Sequence, residues 1–240
     1  MKRTLRRLPG WQSLSLAKGL VRGGEQRQNA VARILRPDNL FQPQGTTAYH
    51  RYPAEIEAAK AALGTGDPEI LSFGCSSGEE LLTLRHHFPG ARIRGLDINP
   101  VAVRAARRLV HDAGEGATIS VARARDAADE PAESCDLVLA LAVFRHASLN
   151  HAPDRCDGVL HFASFERTVA GLSSCLRPGG VFVIRHANFR FTDCAVAADY
   201  EPVLAGLPSS NDHVVTPVYD RTNRLVAPET RDDGVYRKRS

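Results

Sequence analysis

The chain has 240 residues, of which 43 % are hydrophobic and 24 % charged, and its formal net charge is +4. This size and balance are those of one globular domain with a sizeable core. No apolar run approaches the length of a membrane span, and the five cysteines include no C-x-x-C pair. We therefore expect a protein without a membrane span, a disulfide framework or a zinc site, with reduced thiols in the cytoplasm.

Residues 1–36 are far more basic than the rest of the chain. Nine lysines and arginines stand against a single acid, Glu25. Such a stretch is typical of a transit peptide, an RNA-binding arm, a membrane-surface helix or a solvated tail, and we favour the tail. It lacks the long apolar run of a secretory signal. We assign residues 1–53 to a basic, helical N-terminal extension with a cover segment, and residues 54–240 to the domain.

The cover segment, residues 40–53 (LFQPQGTTAYHRYP), is extended and interrupted by prolines. It carries a cluster of aromatic and cationic side chains at Tyr49, His50, Arg51 and Tyr52. A helix is predicted directly after it, over residues 54–63. Aromatic side chains in such a segment are equally suited to pack it onto the domain and to contact a ligand.

Residues 69–100 form the most informative stretch of the sequence. A short apolar strand leads into a turn bounded by Gly74 and Gly78, a helix follows, and a second strand ends at Asp97. Glycines let a backbone approach a ligand where a Cβ atom would collide. In doubly wound sheets ligands bind beyond the carboxyl ends of the strands, where an acid can hydrogen-bond a ribose. The stretch therefore predicts a ligand that contains a nucleoside.

The turn differs from the dinucleotide fingerprint G-x-G-x-x-G, because a serine, Ser76 or Ser77, stands where the middle glycine belongs. Glu79 and Glu80 open the helix, where they would repel a phosphate. Both features favour a ligand with an amino-acid cation and no phosphate. Here the sequence GCSSGEE resembles the class I S-adenosylmethionine-dependent methyltransferases, in the form found in chemotaxis-receptor and many small-molecule methyltransferases.

The remaining elements follow in alternation. Asn99 and Pro100 fit the cap and first turn of a helix whose inner face is predicted at Val101, Ala105 and Leu109. The further predictions are strands over residues 118–121, 135–141, 181–185, 214–219 and 235–238, and helices over residues 161–176 and 193–207. The segment LRPGG (residues 176–180) before an apolar strand is a second resemblance to the family. It implies an α/β fold: a doubly wound, mostly parallel seven-stranded sheet with helices on both faces.

The resemblance also implies a site. The implied cofactor contacts, for S-adenosylmethionine, are Phe73, Gly74, Cys75, Ser76, Gly78, Asp97, Ile98, Asn99, Arg125, Asp126, Ala127 and Ala142. The implied acceptor side comprises Tyr49, Arg51, Tyr52, Phe144 and Asn188. His146 and His186 follow strand ends and are candidate bases, although methyl transfer does not require one and a local cap or hydrogen bond is the alternative role of His146. His151, Asp154 and Cys156 lack a diagnostic metal spacing, so we predict a surface loop and no metal.

Several alternatives remain open at this point. A nicotinamide-dependent dehydrogenase is disfavoured by the missing glycine and by LRPGG. A non-catalytic adenosyl-binding or RNA-associated protein is supported only by the basic N-terminus. Methylation of RNA or protein is a further alternative, although the chain lacks the N-P-P-Y motif of amino-directed nucleic-acid methyltransferases. We favour a small-molecule acceptor, and the sequence does not choose between oxygen, nitrogen and carbon.

Overall fold

The computed structural model describes residues 39–43, 45, 47–205, 216–227 and 231–240. The basic stretch 1–36, and with it the predicted helical extension, lies outside the described residues. The boundary at residue 53 therefore stays a prediction. Within the described part of the chain, no helix combines the length and apolar character needed to cross a membrane.

Nine strands are described, and seven of them form one sheet. In chain order they are β1 Glu69–Phe73, β2 Arg92–Asp97, β3 Ile119–Arg123, β4 Cys135–Leu141, β5 Leu176–Arg185, β6 Tyr200–Ala205, β7 Val218–Tyr219, β8 Leu225–Val226 and β9 Gly234–Lys238. The sheet order is β3-β2-β1-β4-β5-β9-β6, and β7 and β8 form a separate pair. The first five strands are parallel, whereas β9 is antiparallel to both β5 and β6. The predicted seven-stranded, mostly parallel sheet is confirmed.

The direction of strand addition reverses between β1 and β4. The chain first builds outward from β1 through β2 to β3, and then returns to place β4 on the other side of β1. Ser72 in β1 accordingly pairs with Gly95 on one side and with Leu139 on the other. A crevice opens at the carboxyl ends of the strands where the order reverses, and this is where ligands bind in such sheets.

Helices cover both faces of the sheet. Helices α1 (Pro53–Leu63), α2 (Glu79–His87) and α3 (Pro100–Asp112) pack on one face, and α4 (Phe162–Cys175) packs on the other. A hydrophobic core lies on each face of the sheet, and β4 contributes to both. Leu137 packs in the core under α1, α2 and α3, and Val138 packs in the core under α4. This alternation follows from the two-residue period of a strand. The predicted helix with a core-facing stripe between residues 161 and 176 is confirmed as α4.

Helix α3 begins as predicted but turns a different face inward. The Asn99 side chain accepts a hydrogen bond from the Val101 amide, and Pro100 occupies the first turn. The buried residues, however, are Ala102, Val103, Ala106 and Val110. The expected stripe of Val101, Ala105 and Leu109 was wrong by one position. The sequence places apolar residues side by side along this helix, so two adjacent stripes were compatible with the helical period.

The C-terminal part contains the main errors of the sequence analysis. The predicted helix over residues 193–207 is replaced by short 3-10 turns and the strand β6, with residues 206 and 207 outside the described range. The segment is rich in alanine, which favours a helix, but pairing with β9 overrides that preference. Pro202 is tolerated because β6 is an edge strand with a bulge after this residue. Residues 214 and 215 of the predicted strand 214–219 lie outside the described residues, and within residues 216–219 the strand is β7, which pairs with β8 in a small hairpin.

Candidate active site

A cleft of about 980 Å³, measured with its open mouth, lies at the carboxyl ends of β1, β2 and β4. Its floor and walls come from the turn after β1, the first turn of α2 and the ends of β2 and β4. Residues 39–43, 45, 47 and 48, with Arg51 and Tyr52, form its cover. The cleft therefore lies in the crevice that the sheet order creates.

Asp97 ties the turn after β1 to the end of β2. Its Oδ2 accepts a hydrogen bond from the Ser76 amide at 2.9 Å, and its Oδ1 accepts one from the Asn99 amide at 2.8 Å. Burial raises the pKa of the Asp97 carboxyl, and these two amide hydrogen bonds act in the opposite direction. Asp97 also lines the cleft. The carboxylate oxygens retain lone pairs for a hydroxyl donor from a ligand.

The two glycines of the turn have different roles. Gly74 has φ +80°, and a Cβ atom there would overlap the Val143 side chain at the end of β4. Gly78 has φ +99° and is the N-cap of α2, where a Cβ would press on Ala106 of α3 at 3.0 Å. Gly74 lines the cleft, whereas Gly78 does not. Gly74 thus keeps the cleft open, and Gly78 lets two helices pack closely.

Ser76 brings a polar atom to the cleft wall. Its φ of +49° lies in the left-handed region, which a non-glycine residue adopts only when its surroundings hold it there. Its hydroxyl oxygen is buried and has no hydrogen-bond partner among the described residues. Buried polar atoms are rarely left unpaired. The orphaned hydroxyl fits a polar ligand group in the cleft.

Glu80 and Arg51 face the same part of the cleft. The Glu80 carboxylate accepts a hydrogen bond from the Ser72 hydroxyl at 2.7 Å. Burial raises the pKa of Glu80 to about 7, while the Ser72 hydrogen bond and the positive charge of Arg51 oppose the shift. The Arg51 guanidinium donates to the Tyr52 hydroxyl at 2.6 Å and lies 4.8 Å from the centre of that ring. The site therefore presents an acid and a cation together.

Glu80 was not among the residues predicted for the site. Glu79 and Glu80 were expected only to repel a phosphate at the start of the helix. The signal available was the helical period: Glu80 precedes Leu84 by four residues, and Leu84 lies on the buried face of α2. An acid on that face, directly beyond the glycine turn, is aimed at the cleft.

The cover segment is anchored at several points along its length. Phe41 is 4 % exposed, and its ring packs edge-on against Phe144 with centroids 5.1 Å apart. The His50 amide donates to the Thr83 hydroxyl at 3.1 Å. Tyr52, the N-cap of α1, has φ 57° and lines the cleft. Tyr49 is 48 % exposed and does not line the cleft.

Comparison with known proteins identifies the family. A family model described as a methyltransferase domain matches residues 71–182, which include the glycine turn, Asp97 and β4. The curated protein 4-amino-L-phenylalanine/4-methylamino-L-phenylalanine methyltransferase of Streptomyces pristinaespiralis is 30 % identical over 185 residues, covering 70 % of this chain and 61 % of that protein. The chain belongs to the class I S-adenosylmethionine-dependent methyltransferase family. Members of this family bind S-adenosylmethionine and S-adenosylhomocysteine.

Two further matches are a second curated protein and a solved structure. Trans-aconitate 2-methyltransferase of Streptomyces coelicolor is 28 % identical over 156 residues, covering 65 % of this chain and 48 % of that protein. The crystal structure of the YcgJ protein from Bacillus subtilis has 16 % sequence identity and a TM-score of 0.44, covering 58 % of this chain and 52 % of that chain. The chain spans 61 % and 48 % of the lengths of the two curated relatives named here.

Most of the residues predicted to bind the methyltransferase cofactor line the cleft. They are Phe73, Gly74, Ser76, Asp97, Ile98, Asn99, Arg125 and Ala142. Cys75 is buried with its sulfur toward Gly95, away from the cleft, and burial raises its pKa well above the usual range. Asp126 accepts a hydrogen bond from the Ala128 amide at 3.1 Å, and Ala127 is buried in the core. Asp126 and Ala127 do not line the cleft, and their contact with the cofactor stays a prediction.

The predicted acceptor residues divide into two groups. Arg51 and Tyr52 line the cleft, whereas Phe144 is fully buried behind it in an aromatic cluster. Asn188 is also buried: its side chain accepts from the His146 amide at 2.8 Å and donates to the Pro217 carbonyl at 2.7 Å. Phe144 and Asn188 therefore support the wall and do not line the cleft.

The two candidate bases lie beside the cleft and do not line it. Burial lowers the pKa of His146, and its Nδ1 lies 2.6 Å from the Ser148 hydroxyl, where it caps a short 3-10 turn. His186 is 5 % exposed, and its ring centre lies 5.5 Å from that of Tyr52. Their catalytic roles stay predictions. No group of His, Cys, Asp and Glu within the described ranges is arranged to hold a metal ion.

Proposed function

We propose that the protein transfers the methyl group of S-adenosylmethionine to a nucleophilic atom of a small-molecule acceptor and releases S-adenosylhomocysteine. The observation that carries this proposal is that Glu80, acted on by the positive charge of Arg51, lines with Arg51 the cleft that also contains Asp97. A carboxylate and a guanidinium match the ammonium and carboxylate of a methionyl group. Asp97, beyond the second strand, matches a ribose.

The cofactor would lie across the carboxyl ends of β1 and β2. The Gly74 backbone and the Ser76 hydroxyl would contact its methionyl part, together with Glu80 and Arg51. Asp97 would accept from the ribose hydroxyls. The base would lie against residues that line the far end of the cleft, Ile98, Asn99, Ala124 and Arg125.

The reaction would be an in-line displacement at the methyl carbon. The acceptor atom forms a bond to that carbon while the carbon–sulfur bond breaks, and the sulfonium becomes a neutral thioether. A proton carried by the acceptor leaves to solvent or to a nearby base. Holding donor and acceptor at contact distance supplies much of the rate in such a reaction. The apolar wall of Phe73, Leu141 and Val143 would exclude water from the sulfonium.

A small acceptor is supported by two observations. The two curated relatives named above take their names from an amino acid and from a carboxylic acid. The cover segment also lines the cleft, so an acceptor enclosed between the cover and the sheet would be small. We further propose a cytoplasmic location, which the five free cysteines support.

Calorimetric binding of S-adenosylmethionine and S-adenosylhomocysteine tests the cofactor site. We expect wild type to bind both, and Asp97→Ala to lose tenfold or more in affinity, about 1–3 kcal/mol for a buried polar contact. Asp136→Ala is the matched control, because Asp136 also accepts a backbone amide, from Glu69, but at the opposite end of the sheet. It should bind like wild type. Absence of binding by folded wild type would reject the proposal, and binding of NAD instead would favour a dehydrogenase.

Release of S-adenosylhomocysteine tests the acceptor. The panel contains 4-amino-L-phenylalanine, trans-aconitate, other small amines and acids, and a transfer RNA. Turnover with a small molecule supports the proposal, and turnover with the RNA alone contradicts it. Cofactor binding without any transfer, together with salt-dependent RNA binding that is lost on deleting residues 1–36, would favour an RNA-associated protein without catalysis.

A further inference from the structure

Four charged side chains form a buried network beside the cleft: Glu55, Arg185, Arg231 and Asp233. The Arg185 Nε lies 2.8 Å from a Glu55 carboxylate oxygen, and its Nη1 lies 3.6 Å from Asp233 Oδ2. The same Asp233 oxygen lies 2.9 Å from Arg231 Nη1. The side chains of Glu55, Arg185 and Asp233 are at most 5 % exposed. The charge network is thus two acids and two cations, formally neutral.

Stability alone is a weak explanation for such a network. Removing charges from water costs several kcal/mol per ion, and well-packed apolar side chains often stabilise a core as well as or better than a buried ion pair. The network joins segments far apart in the chain, since Glu55 opens α1, Arg185 ends β5 and Asp233 precedes β9. Its contacts with the backbone indicate what it holds in place.

Three residues held directly or indirectly by the network have left-handed backbones without being glycine. Tyr52 has φ 57°, Ala142 has φ 59° and His186 has φ 54°. Such residues cost about 1–3 kcal/mol each and persist where the surrounding structure over-determines them. Asp233 accepts from the His186 amide at 2.7 Å, and the Arg185 carbonyl accepts from the Ala142 amide at 2.8 Å.

Tyr52 is held from two sides. Its ring packs against His186, with centroids 5.5 Å apart. It also immediately precedes α1, whose first turn carries Glu55 of the network. Tyr52 and Ala142 both line the cleft. Ala142 follows β4, and Tyr52 packs on His186, which follows β5, so both lie on the side of β1 opposite to β2 and Asp97. With the cofactor lying along β1 and β2, this side is the one that faces its methyl group.

We propose that Arg185 and Asp233 are positioning residues that fix Tyr52 and Ala142 around the methyl group of bound S-adenosylmethionine. This inference rests on the proposed function. The network does not touch the reacting atoms. It sets, through Tyr52, Ala142 and His186, the shape of the wall past which an acceptor approaches.

The test is the methyl resonance of S-adenosylmethionine, labelled with ¹³C at the methyl carbon and bound to the full chain. This signal reports the surroundings of the methyl group and needs no acceptor. The variant is Asp233→Asn. The matched control is Asp232→Asn, which makes the same change at a neighbouring carboxylate that holds the Phe191 and Thr192 amides instead.

We expect Asp233→Asn to displace or broaden the bound methyl resonance, and Asp232→Asn to leave it at the wild-type position. The affinity for S-adenosylhomocysteine should change by less than about threefold in both, since the cofactor contacts at Asp97 and Glu80 are intact. An unchanged resonance in Asp233→Asn, alongside a lowered melting temperature, would show that the network is only structural and overturn the proposal.

Asp233→Asn leaves two buried cations with one acid, and this imbalance can prevent folding. The double variant Arg231→Met/Asp233→Asn removes one charge of each sign and keeps the Glu55–Arg185 pair. If Asp233→Asn does not fold, the double variant takes its place, and we again expect a displaced or broadened methyl resonance. A wild-type protein that binds neither S-adenosylmethionine nor S-adenosylhomocysteine would instead overturn the proposed function, and the inference with it.

Discussion

Val143 lies directly against Gly74, so the carboxyl ends of β4 and β1 meet without room for a single added carbon. A Cβ atom on Gly74 would overlap Cγ2 of Val143 and would lie 3.2 Å from Cγ1. Both residues line the cleft. The width of the cleft at this point is therefore set by the lack of a side chain at Gly74 and by the side chain of Val143.

Gly74→Ala should lower the affinity for S-adenosylhomocysteine by more than about tenfold, because either the turn or Val143 must move into the cleft. The control is Gly114→Ala. Gly114 has a similar φ of +76°, but an added Cβ would meet nothing within 4 Å. Both variants should lose about 1–2 kcal/mol of stability from the left-handed backbone. Only Gly74→Ala should lose binding in calorimetry.

The double variant Gly74→Ala/Val143→Ala separates the collision from the backbone strain. It removes both methyl groups of Val143 and should regain most of the affinity, while the loss of stability remains. Equal loss of binding in the single and double variants would show that Val143 does not set the width of the cleft.

Cofactor binding should depend on pH through Glu80. Its pKa is raised to about 7, so near neutral pH the ligand-free cleft contains a mixture of protonated and ionised Glu80. An ammonium group favours the ionised form and lowers the pKa of Glu80 in the complex. The affinity for S-adenosylmethionine should therefore rise with pH up to about 7 and then level off. The slope is at most about tenfold per pH unit.

Calorimetry between pH 5.5 and 8.5 measures this dependence, and proton release is measured in buffers of different ionisation enthalpy. Glu80→Gln should bind more weakly and show a flatter profile, because its amide does not titrate. A Glu80→Gln profile that rises as steeply as that of wild type would assign the pH dependence to another group.

The same pKa shift predicts a sign for stability. Between the ordinary Glu value of 4.5 and about 7 the folded protein binds more protons at Glu80 than the unfolded chain does. The contribution of Glu80 therefore makes the ligand-free protein less stable as pH rises through this window. Urea unfolding of wild type and Glu80→Gln at pH 5 and pH 7.5 isolates this contribution. The free energy of unfolding of Glu80→Gln, relative to that of wild type, should be higher at pH 7.5 than at pH 5.

The part of the site that the sequence predicted is the part built by neighbouring residues. The glycine turn, Asp97 and the Asn99 cap each depend on a strand, a turn and a helix that follow one another in the chain. Their positions at a strand end follow from the fold class alone. For this reason the structure brings Gly74, Ser76, Asp97 and Asn99 together where the pattern placed them.

Apart from Glu80, the parts that the sequence did not predict depend on pairing across long separations. Asp233 holds the His186 amide across 47 residues, and Asn188 holds His146 across 42. No local pattern encodes such partners. The strand β6 was predicted as a helix for a similar reason, since its conformation is decided by hydrogen bonds to β9 and not by its own composition.

Two buried tyrosines provide a matched test of how hydrogen bonding stabilises the aromatic core. Tyr219 is fully buried, its hydroxyl has no partner among the described residues, and burial raises its pKa to about 12. Tyr200 is also buried, but its hydroxyl donates to Ser173 Oγ at 2.8 Å. The change to phenylalanine therefore removes an unpaired hydroxyl at Tyr219 and a hydrogen-bonded hydroxyl at Tyr200.

Tyr219→Phe should leave the free energy of unfolding unchanged or raise it by about 1 kcal/mol, because a buried hydroxyl without a partner carries a desolvation penalty. Tyr200→Phe should lower it by about 1 kcal/mol. Urea unfolding with unchanged denaturant slopes measures both, and a shift in midpoint at constant slope reports stability alone. If Tyr219→Phe were destabilised as much as Tyr200→Phe, the Tyr219 hydroxyl would have a partner in the folded protein.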